Sequence, residues 1–379
     1  MTMRLALVSA YPAIDGQING GVEGVTYNLV QGLKKRDDIE VSIITPGNKD
    51  TKENRNGVTV YSYKQAPLPG FLSYWSIDRM KIHKLLTEIK PDITHFQGLL
   101  GWSIGYQKPY IATMHGVVEK DVLFKGSVAT IVRHKILKIV EGYARRKAKN
   151  LIVINKYIED LFADSFRGRI NRISNPVLND YFEIKNTPDN ENILYIGRIS
   201  ELKNILGILE IFKELHRNEP DAVLNLVGSV EDETYLKQCQ SYIRDNDLTE
   251  SVIFHGALDI SNIKEIYSKA SLLILMSKQE VAPMVISEAM AAGVPVVASD
   301  ICGIKYMIEH GITGYKFNSD DKNLIVDSMT ELLRNKELRN NITEHAKANA
   351  IKTYGIDNVV NETLLAYEDV LSITCRKGD

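Results

Sequence analysis

The segment Leu272–Ala298 constrains the fold more than any other part of this sequence. Continuous apolar runs at Leu272–Met276 and Val294–Ala298 predict two strands buried on both faces of a parallel sheet. Between them, Pro283 at the first helical position and Gly293 just past the end frame a short helix. The N–H groups at the start of such a helix lie at the carboxyl end of the sheet, where α/β folds bind phosphates and polyols. The segment therefore predicts an α/β fold with a ligand site at this helix.

Strand and helix patterns alternate along the rest of the chain as well, which implies parallel sheets covered on both faces. The 379 residues are too many for one modest core and suggest two domains. Residues 1–180 hold 26 Lys and Arg against 17 acidic residues, whereas residues 181–379 hold 20 against 31, so a domain boundary is expected near residue 180. Other expected elements are a polar loop over Gly47–Gly57, a helix near Gly303–His310 and a last helical stretch over Glu337–Leu371.

Composition and apolar patterning argue against several classes of protein. The chain is 44% hydrophobic and 25% charged, with a formal net charge of −2, which is ordinary for a globular protein. Its three cysteines are widely separated, which argues against a disulfide scaffold or a zinc site. No apolar run is long enough to span a bilayer, and the run Leu5–Ala10 is too short for a signal peptide, so a cytoplasmic protein is expected. The basic residues come without a recognition motif, so no nucleic-acid partner is expected.

Two acids, Glu280 and Glu288, are separated by seven residues around the predicted helix start. Five other short motifs occur in order: Gly20-Gly21-Val22, His115-Gly116, YIGRISELKN at 195–204, LVGS at 226–229 and FHGAL at 254–258. Together they resemble the retaining glycosyltransferases of the GT-B fold, in particular family 4, over most of the chain. The resemblance implies an α/β architecture of two Rossmann-like domains facing a central cleft, followed by a C-terminal helix that crosses back to the first domain. The expected limits are 1–180 for the acceptor-binding domain, 181–358 for the donor-binding domain and 359–379 for the helix.

The same resemblance implies a sugar-nucleotide donor site and the residues that form it. Arg198 and Lys203 would bind the diphosphate and stabilise the charge on the departing phosphate. Glu288 would accept hydrogen bonds from the ribose hydroxyls, and Glu280 would contact the hydroxyls of the donor sugar. His115 would lie against the donor sugar near the reacting carbon. The other residues expected to bind the donor are Gly20, Gly21, Gly228, Leu258, Ala282, Pro283, Met284 and Val285.

The sequence departs from the family's commonest pattern after the first glutamate. Val281-Ala282-Pro283-Met284 stands where glycine and phenylalanine are usual, which leaves the donor sugar open; a UDP-sugar is favoured, with a GDP-sugar as the second choice. Asp245-Asn246-Asp247 matches the metal-binding DxD motif of the other main glycosyltransferase fold, but it closes an amphipathic helix, where a turn is expected. Since Arg198 and Lys203 supply positive charge, neither a metal nor another cofactor is expected. The resemblance also implies reaction on one face of the sugar, with the departing phosphate taking the acceptor's proton.

The acceptor is expected to be a glycan or a lipid-linked molecule in cell-surface polysaccharide or glycolipid synthesis. Residues 125–149 carry eight basic residues and one acid, Glu141, with apolar residues between them. The loop 71–75 adds Phe71, Tyr74 and Trp75. These features fit either contact with an anionic membrane surface, on the inner face of the cell membrane, or a domain helix with a solvated basic face.

Two other functions remain open from the sequence. A sugar-nucleotide epimerase shares the two-domain fold, and it would need further acids and histidines near the cleft and would react without an acceptor. The chain could also be a non-catalytic subunit that binds sugar nucleotides. The presence of Arg198, Lys203, Glu280 and Glu288 argues against this second alternative.

Overall fold

The computed structural model describes residues 2–18, 20–117, 128–188 and 192–375. The chain divides into two compact α/β units. Unit 1 comprises Met1–Ala13, Ile18–Pro176 and Ile356–Asp379, and unit 2 comprises Ile14–Gln17 and Val177–Gly355. The chain therefore passes from unit 1 to unit 2 after Pro176 and returns to unit 1 after Gly355. The boundaries expected from the sequence were after residues 180 and 358.

Unit 1 is built on a sheet with the strand order β3-β4-β2-β1-β5-β6-β7-β8. All neighbouring strands are parallel except β3 and β4. The strands are β1 (Met3–Val8), β2 (Ile39–Gly47), β3 (Thr51–Arg55), β4 (Val58–Lys64), β5 (Ile93–Gln97), β6 (Tyr110–Met114), β7 (Asn150–Val153) and β8 (Arg169–Arg172). Its helices up to Pro176 are α1 (Gly21–Leu33), α2 (Gly70–Ser73), α3 (Ile77–Ile89), α4 (Val128–Lys147) and α5 (Lys156–Phe162), with 3-10 turns at Leu100–Ser103 and Ala163–Ser165.

The expected polar loop over Gly47–Gly57 is wrong, because it contains the edge strand β3, which pairs antiparallel with β4. The turn between the two strands is made by Asn56 and Gly57, with φ of 50° and 85°. An Asn-Gly pair with positive φ at both positions is the preferred two-residue hairpin turn. The sequence therefore carried a hairpin signal that its polar composition obscured.

Unit 2 has a sheet of parallel strands in the order β11-β10-β9-β12-β13-β14. These strands are β9 (Asn192–Ile196), β10 (Val223–Val227), β11 (Val252–Gly256), β12 (Leu272–Leu275), β13 (Val296–Ser299) and β14 (Tyr315–Phe317). The helices are α6 (Asn179–Phe182), α7 (Ile205–Asn218), α8 (Glu233–Asp245), α9 (Ile260–Lys269), α10 (Met284–Ala292), α11 (Lys322–Arg334) and α12 (Lys336–Tyr354), with 3-10 turns at Glu201–Lys203 and Ile304–Tyr306. Every residue of β12 and β13 is buried, as their continuous apolar runs predicted.

Two expected helices are corrected in this unit. The helix near Gly303–His310 is only the 3-10 turn, because His310 pairs with Gly314 and the chain turns back into β14. The stretch Glu337–Leu371 is not one helix, because α12 ends at Tyr354 and its C-cap, Gly355, pairs with Val177 in a parallel bridge. The fold class itself is confirmed: both units are Rossmann-like, with parallel central strands and helical connections.

The last helix, α13 (Ile356–Cys375), belongs to unit 1 and packs on α1. Gly32 permits this close approach, since a Cβ placed there would lie 2.5 Å from Cγ2 of Val360. Farther along the helix, the Tyr367 hydroxyl lies 2.7 Å from Nδ1 of His95 on β5. His95 is fully buried, and its Nε2 lies 2.6 Å from the Thr113 hydroxyl. The helix therefore completes the core of the first unit.

Candidate active site

The loop between β12 and α10 presents free backbone donors at the carboxyl edge of the unit 2 sheet. Pro283 is the N-cap of α10, with φ −65° and ψ 120°, rather than its first helical residue. It has no N–H to give. The N–H groups of Met284 and Val285 have no hydrogen-bond acceptor among the described residues. Gly293 ends the helix with φ 74°, as predicted.

Lys203 and Glu280 form an ion pair at this edge. Lys203 follows β9, Glu280 follows β12, and these two strands are neighbours in the sheet. Their side chains are only 16% and 12% exposed. The Ser277 hydroxyl donates to Oε1 of Glu280 at 3.1 Å, and the Gly303 N–H donates to the Glu280 carbonyl at 3.0 Å. The pair is thus a fixed, partly dehydrated combination of a cation and an anion, in which charge interactions are stronger than in water.

Arg198 lies on the same loop as Lys203 but stands apart from the ion pair. Its side chain is 54% exposed, and its Nη1 lies 3.3 Å from Oε2 of Glu231. Its carbonyl accepts a hydrogen bond from the Tyr195 hydroxyl at 2.9 Å. The backbone is therefore anchored, whereas the guanidinium is held by a surface ion pair that contributes little to stability.

Only glycine fits at position 228, because the surrounding backbone leaves no room for a side chain. Gly228 has φ 142°, and a Cβ there would lie 1.9 Å from the Gly197 carbonyl oxygen. Its own N–H donates to the Gly256 carbonyl at 2.8 Å. Three loops that follow adjacent strands are thereby held close together at the carboxyl edge. Leu258, a little farther along, is partly buried against the apolar core of the unit, as are Ala282 and Val285.

Glu288 lies on α10 in a mostly apolar setting. Burial raises the pKa of its carboxyl group from an ordinary 4.5 to about 7, and the Tyr267 hydroxyl opposes that rise. The Tyr267 oxygen is 3.4 Å from Oε2 of Glu288 and 3.1 Å from the Val285 carbonyl, to which it donates. The Tyr267 ring packs edge-on against Tyr181, with centroids 5.9 Å apart. Sequence reasoning missed both tyrosines, because a lone aromatic residue on a helix carries no signal beyond burial.

In unit 1, Gly20 is the N-cap of α1 and Gly21 is its first residue. Both are exposed, and a Cβ at either position would meet nothing within 4 Å. The backbone of Gly20 is extended, with φ −170°, which any residue can adopt. Neither backbone strain nor packing within the described residues therefore explains these two glycines.

His115 directly follows β6, and its Nε2 lies 2.7 Å from Oε1 of Gln97. Burial lowers the pKa of His115 to about 4, and the nearby Asn175 side chain opposes the shift. The imidazole is therefore neutral at pH 7. Gln97 and Asn175 were not identified from the sequence; in the structure Gln97 is the last residue of β5 and Asn175 lies three residues after the end of β8.

The formal DxD motif is a turn, as expected. Helix α8 ends at Asp245, Asn246 is its C-cap, and Asp247 has φ 57°. The Asn246 side chain donates to the Tyr242 carbonyl at 2.8 Å. Within the described ranges, no group of three or more histidine, cysteine or acidic side chains could hold a metal ion.

The structure revises the basic and aromatic segments of unit 1. Residues 125–127 lie outside the described residues, and α4 covers most of the remainder. The apolar side chains Ile131, Val132 and Ile139 on α4 are 53%, 52% and 70% exposed. Tyr74, one of the aromatic residues considered for membrane contact, is only 5% exposed, and its hydroxyl donates to Oε1 of Glu141 at 3.0 Å. No helix in the described part of the chain is long and apolar enough to cross a membrane.

Two family models match the chain. Glycosyltransferase Family 4 matches residues 19–179, and Glycosyl transferases group 1 matches residues 179–349. An uncharacterized glycosyltransferase of Methanocaldococcus jannaschii is 24% identical over 99% of this chain and 100% of its own. Sucrose-phosphate synthase from Thermosynechococcus elongatus has a TM-score of 0.83 at 18% identity, covering 98% of this chain and 100% of that one. The HepE protein of Anabaena, in complex with UDP and glucose, has a TM-score of 0.74 at 17% identity, covering 97% and 99%. Since the two family models together match residues 19–349 and the fold agrees, the chain belongs to the glycosyltransferases of the GT-B fold.

Proposed function

We propose that this glycosyltransferase is a retaining, metal-independent enzyme that moves a sugar from a nucleotide-diphosphate donor to a glycan or lipid-linked acceptor. The observation that carries the proposal is the Lys203–Glu280 ion pair beside the free N–H groups of Met284 and Val285. A cation and two unpaired amides suit a diphosphate, whereas a carboxylate suits sugar hydroxyls. A sugar nucleotide carries both kinds of group.

The charge on the departing diphosphate would be stabilised by Lys203 and Arg198. Arg198 can turn from Glu231 to a phosphate at low cost, because the exposed ion pair between them is weak. The same two cations do the work that a metal ion does in other transferases, so EDTA is expected to leave activity unchanged.

The proposed reaction takes place on one face of the sugar. The bond from the anomeric carbon to the phosphate oxygen breaks, the acceptor oxygen bonds to that carbon, and the acceptor's proton passes to the departing phosphate. Glu280 is a poor base for this proton because it already accepts from Ser277 and is paired with Lys203. Its proposed role is to position the sugar hydroxyls.

Glu288 is proposed to accept hydrogen bonds from the ribose hydroxyls. A UDP-sugar is favoured because HepE, which shares the fold, was solved with UDP and glucose. A GDP-sugar is the second choice. Because Val281–Met284 differ from the residues usual in the family, the identity of the donor sugar is to be determined by experiment.

The first test is calorimetric binding of UDP, GDP, ADP, dTDP and NAD, with and without EDTA. One diphosphate should bind in both conditions. Lys203→Met should weaken it by about 1.5–3 kcal/mol, the usual value of a hydrogen bond to a charged group, whereas the exposed control Lys237→Met should not. Binding of NAD alone, or of no nucleotide, would refute the proposal. NMR of the transferred sugar's anomeric centre then tests retention, and turnover of the sugar nucleotide without an acceptor would identify an epimerase instead.

The acceptor side of the proposal concerns α4. Its exposed Ile131, Val132 and Ile139 share the helix with exposed basic residues, a combination that suits the surface of an anionic membrane. The enzyme is proposed to act on the cytoplasmic face of a membrane, with the carbon chain of a lipid-linked acceptor in the bilayer. The contact would be peripheral.

Co-sedimentation with phosphatidylglycerol vesicles tests this contact. We expect binding at low salt that weakens as salt rises, and a clear loss in Ile139→Glu. A matched control is Leu324→Glu, since Leu324 is 55% exposed on unit 2. If the wild-type protein stays in the supernatant at low salt, the membrane contact is wrong.

A further inference from the structure

The Tyr267 hydroxyl contacts the face of α10 that carries Glu288. Tyr267 lies on α9 and is fully buried. Its oxygen is 3.1 Å from the Val285 carbonyl and 3.4 Å from Oε2 of Glu288. Val285 and Glu288 are three positions apart on α10, so both lie on one face of that helix. The hydroxyl therefore has two acceptors within reach and a single hydrogen to give.

The Tyr267 ring is held in place without its hydroxyl. The Asn186 side chain donates to the carbonyls of Tyr267 and Ala270, at 2.9 and 2.8 Å. The ring packs edge-on against Tyr181, with centroids 5.9 Å apart. Neither contact needs the hydroxyl group, so Tyr267→Phe should leave the ring where it is. The hydroxyl is therefore available for a role other than packing.

The direction of the hydroxyl hydrogen depends on the protonation of Glu288. A protonated Glu288 can donate to the Tyr267 oxygen while Tyr267 donates to the Val285 carbonyl. An ionised Glu288 has no hydrogen to give, so its Oε2 needs a donor, and the Tyr267 hydroxyl lies beside it. Burial raises the pKa of Glu288 to about 7, and the Tyr267 hydroxyl opposes the rise, as a donor to a carboxylate does. A ligand that binds the ionised carboxylate therefore draws the hydroxyl hydrogen from Val285 to Glu288.

We infer that Tyr267 is a positioning residue for the recognition of ribose, because its hydroxyl donates to Oε2 of Glu288 and fixes the carboxylate against which the ribose hydroxyls bind. An ionised carboxylate has about four lone-pair sites, so one bond from Tyr267 leaves room for both ribose hydroxyls. This inference rests on the proposed function, which assigns Glu288 to the ribose. It adds a residue that acts through Glu288.

The test compares UDP with 2′,3′-dideoxy-UDP, which lacks the two hydroxyls that Glu288 would accept from. Affinities are measured by calorimetry at pH 8, where most of Glu288 is ionised in the wild type. The wild type should bind UDP more tightly than the dideoxy nucleotide. Tyr267→Phe should weaken UDP at least about fivefold, as expected for one lost hydrogen bond, and change the affinity for the dideoxy nucleotide by less than about twofold. A merely structural role of Tyr267 would weaken both nucleotides alike.

A double-mutant cycle tests whether Tyr267 acts through Glu288. In the Glu288→Gln background, Tyr267→Phe should change the affinity for UDP by less than about twofold, because the carboxylate that the hydroxyl positions is gone. Tyr242→Phe is the matched control, since Tyr242 is a partly buried tyrosine on α8 near Glu210 and Glu214 of α7. The control should bind both nucleotides like wild type.

A second readout needs no nucleotide. The ¹³C resonance of the Glu288 carboxyl carbon is titrated in the free enzyme. Tyr267→Phe should raise the pKa of Glu288 further above about 7, because the donor to the ionised form is lost.

The other ionisable groups near α10 leave this titration readable. Helix α6 packs on α10 and carries Tyr181 and Asp180, and Asp180 is paired with Lys264 of α9. Helix α12 also packs on α10 and buries Tyr354. Burial raises the pKa of both tyrosines, so neither ionises in the range in which Glu288 does.

The inference is overturned if Tyr267→Phe binds UDP like wild type, if it weakens both nucleotides equally, or if it does not raise the pKa of Glu288. If the wild type does not distinguish the two nucleotides, the assignment of Glu288 to the ribose fails and the inference fails with it. Thermal unfolding identifies a variant that does not fold. In that case wild-type Tyr267 labelled with ¹³C at Cζ decides, since its resonance should shift with UDP and not with the dideoxy nucleotide.

Discussion

Replacing Glu288 by glutamine should stabilise the free enzyme at neutral and alkaline pH. The substitution keeps the shape of the side chain and the contact with the Tyr267 hydroxyl, but it removes the carboxylate. That carboxylate is held where burial raises its pKa from 4.5 to about 7. Other titratable groups close to it are Tyr267 and Tyr181, and Asp180, which lies near Tyr181, is paired with Lys264. None of these supplies Glu288 with a cation of its own.

The sign and size follow from proton linkage. Between pH 4.5 and about 7 the folded protein holds a proton on Glu288 that the unfolded chain has released. The free energy of unfolding of the wild type therefore falls as pH rises through this window, and it levels off above it. The shift corresponds to a loss on the order of 3 kcal/mol, at 1.36 kcal/mol per pKa unit. Glu288→Gln lacks this loss, so the amount by which its free energy of unfolding exceeds that of the wild type should grow from pH 5 to pH 8.

The assay is urea unfolding without nucleotide at pH 5, 6, 7 and 8, with Glu250→Gln as a control for an exposed glutamate. The same Glu288→Gln protein should bind the nucleotide more weakly by about 1.5–3 kcal/mol, if the ribose hydroxyls donate to the charged carboxylate. Wild-type affinity should rise with pH through about 7, because only the ionised form accepts both bonds. A variant that is destabilised at pH 8, or an advantage that does not change with pH, would refute the reasoning.

Three further substitutions separate the roles of glycine in this chain. Gly228→Ala places a Cβ 1.9 Å from the Gly197 oxygen at φ 142°, and it should cost about 3 kcal/mol or more in urea unfolding. Gly32→Ala crowds Val360 at 2.5 Å and should cost about 1–3 kcal/mol, which thermal unfolding will measure. Gly20→Ala meets no atom within 4 Å and should change stability by less than about 0.5 kcal/mol, yet lower the affinity for the sugar nucleotide in calorimetry. A stable Gly228→Ala, a harmless Gly32→Ala or an unaltered affinity in Gly20→Ala would each contradict the corresponding explanation.

Local sequence patterns predicted the structure correctly at positions where a single physical effect determines the local conformation. The fully apolar strands β12 and β13 could be read directly, because burial on both faces leaves no alternative for such a run. Gly293 was recognisable as a helix stop because a positive φ favours glycine. The Asp245–Asp247 turn followed from the same kind of local preference.

Contacts between distant residues could not be predicted in this way. Tyr74 was considered for membrane contact because it sits in an aromatic loop, whereas its partner Glu141 lies 67 residues away on α4. Likewise, the Lys203–Glu280 pair joins residues 77 positions apart, and only the adjacency of β9 and β12 brings them together. Gln97 gives no sequence signal at all, since an amide at a strand end has many ordinary uses.

The packing of α13 on unit 1 determines the order in which the two units can finish folding as the chain is synthesised. Unit 2 has most of its residues in one run, Val177–Gly355, and can complete its core soon after that run leaves the ribosome. Unit 1 begins first but finishes last, because His95 and Gly32 face an incomplete core until Val360 and Tyr367 have been made. Translation that stops before Ile356 would therefore release a protein with a finished unit 2 and an exposed apolar surface on unit 1, a form suited to recognition by chaperones and proteases.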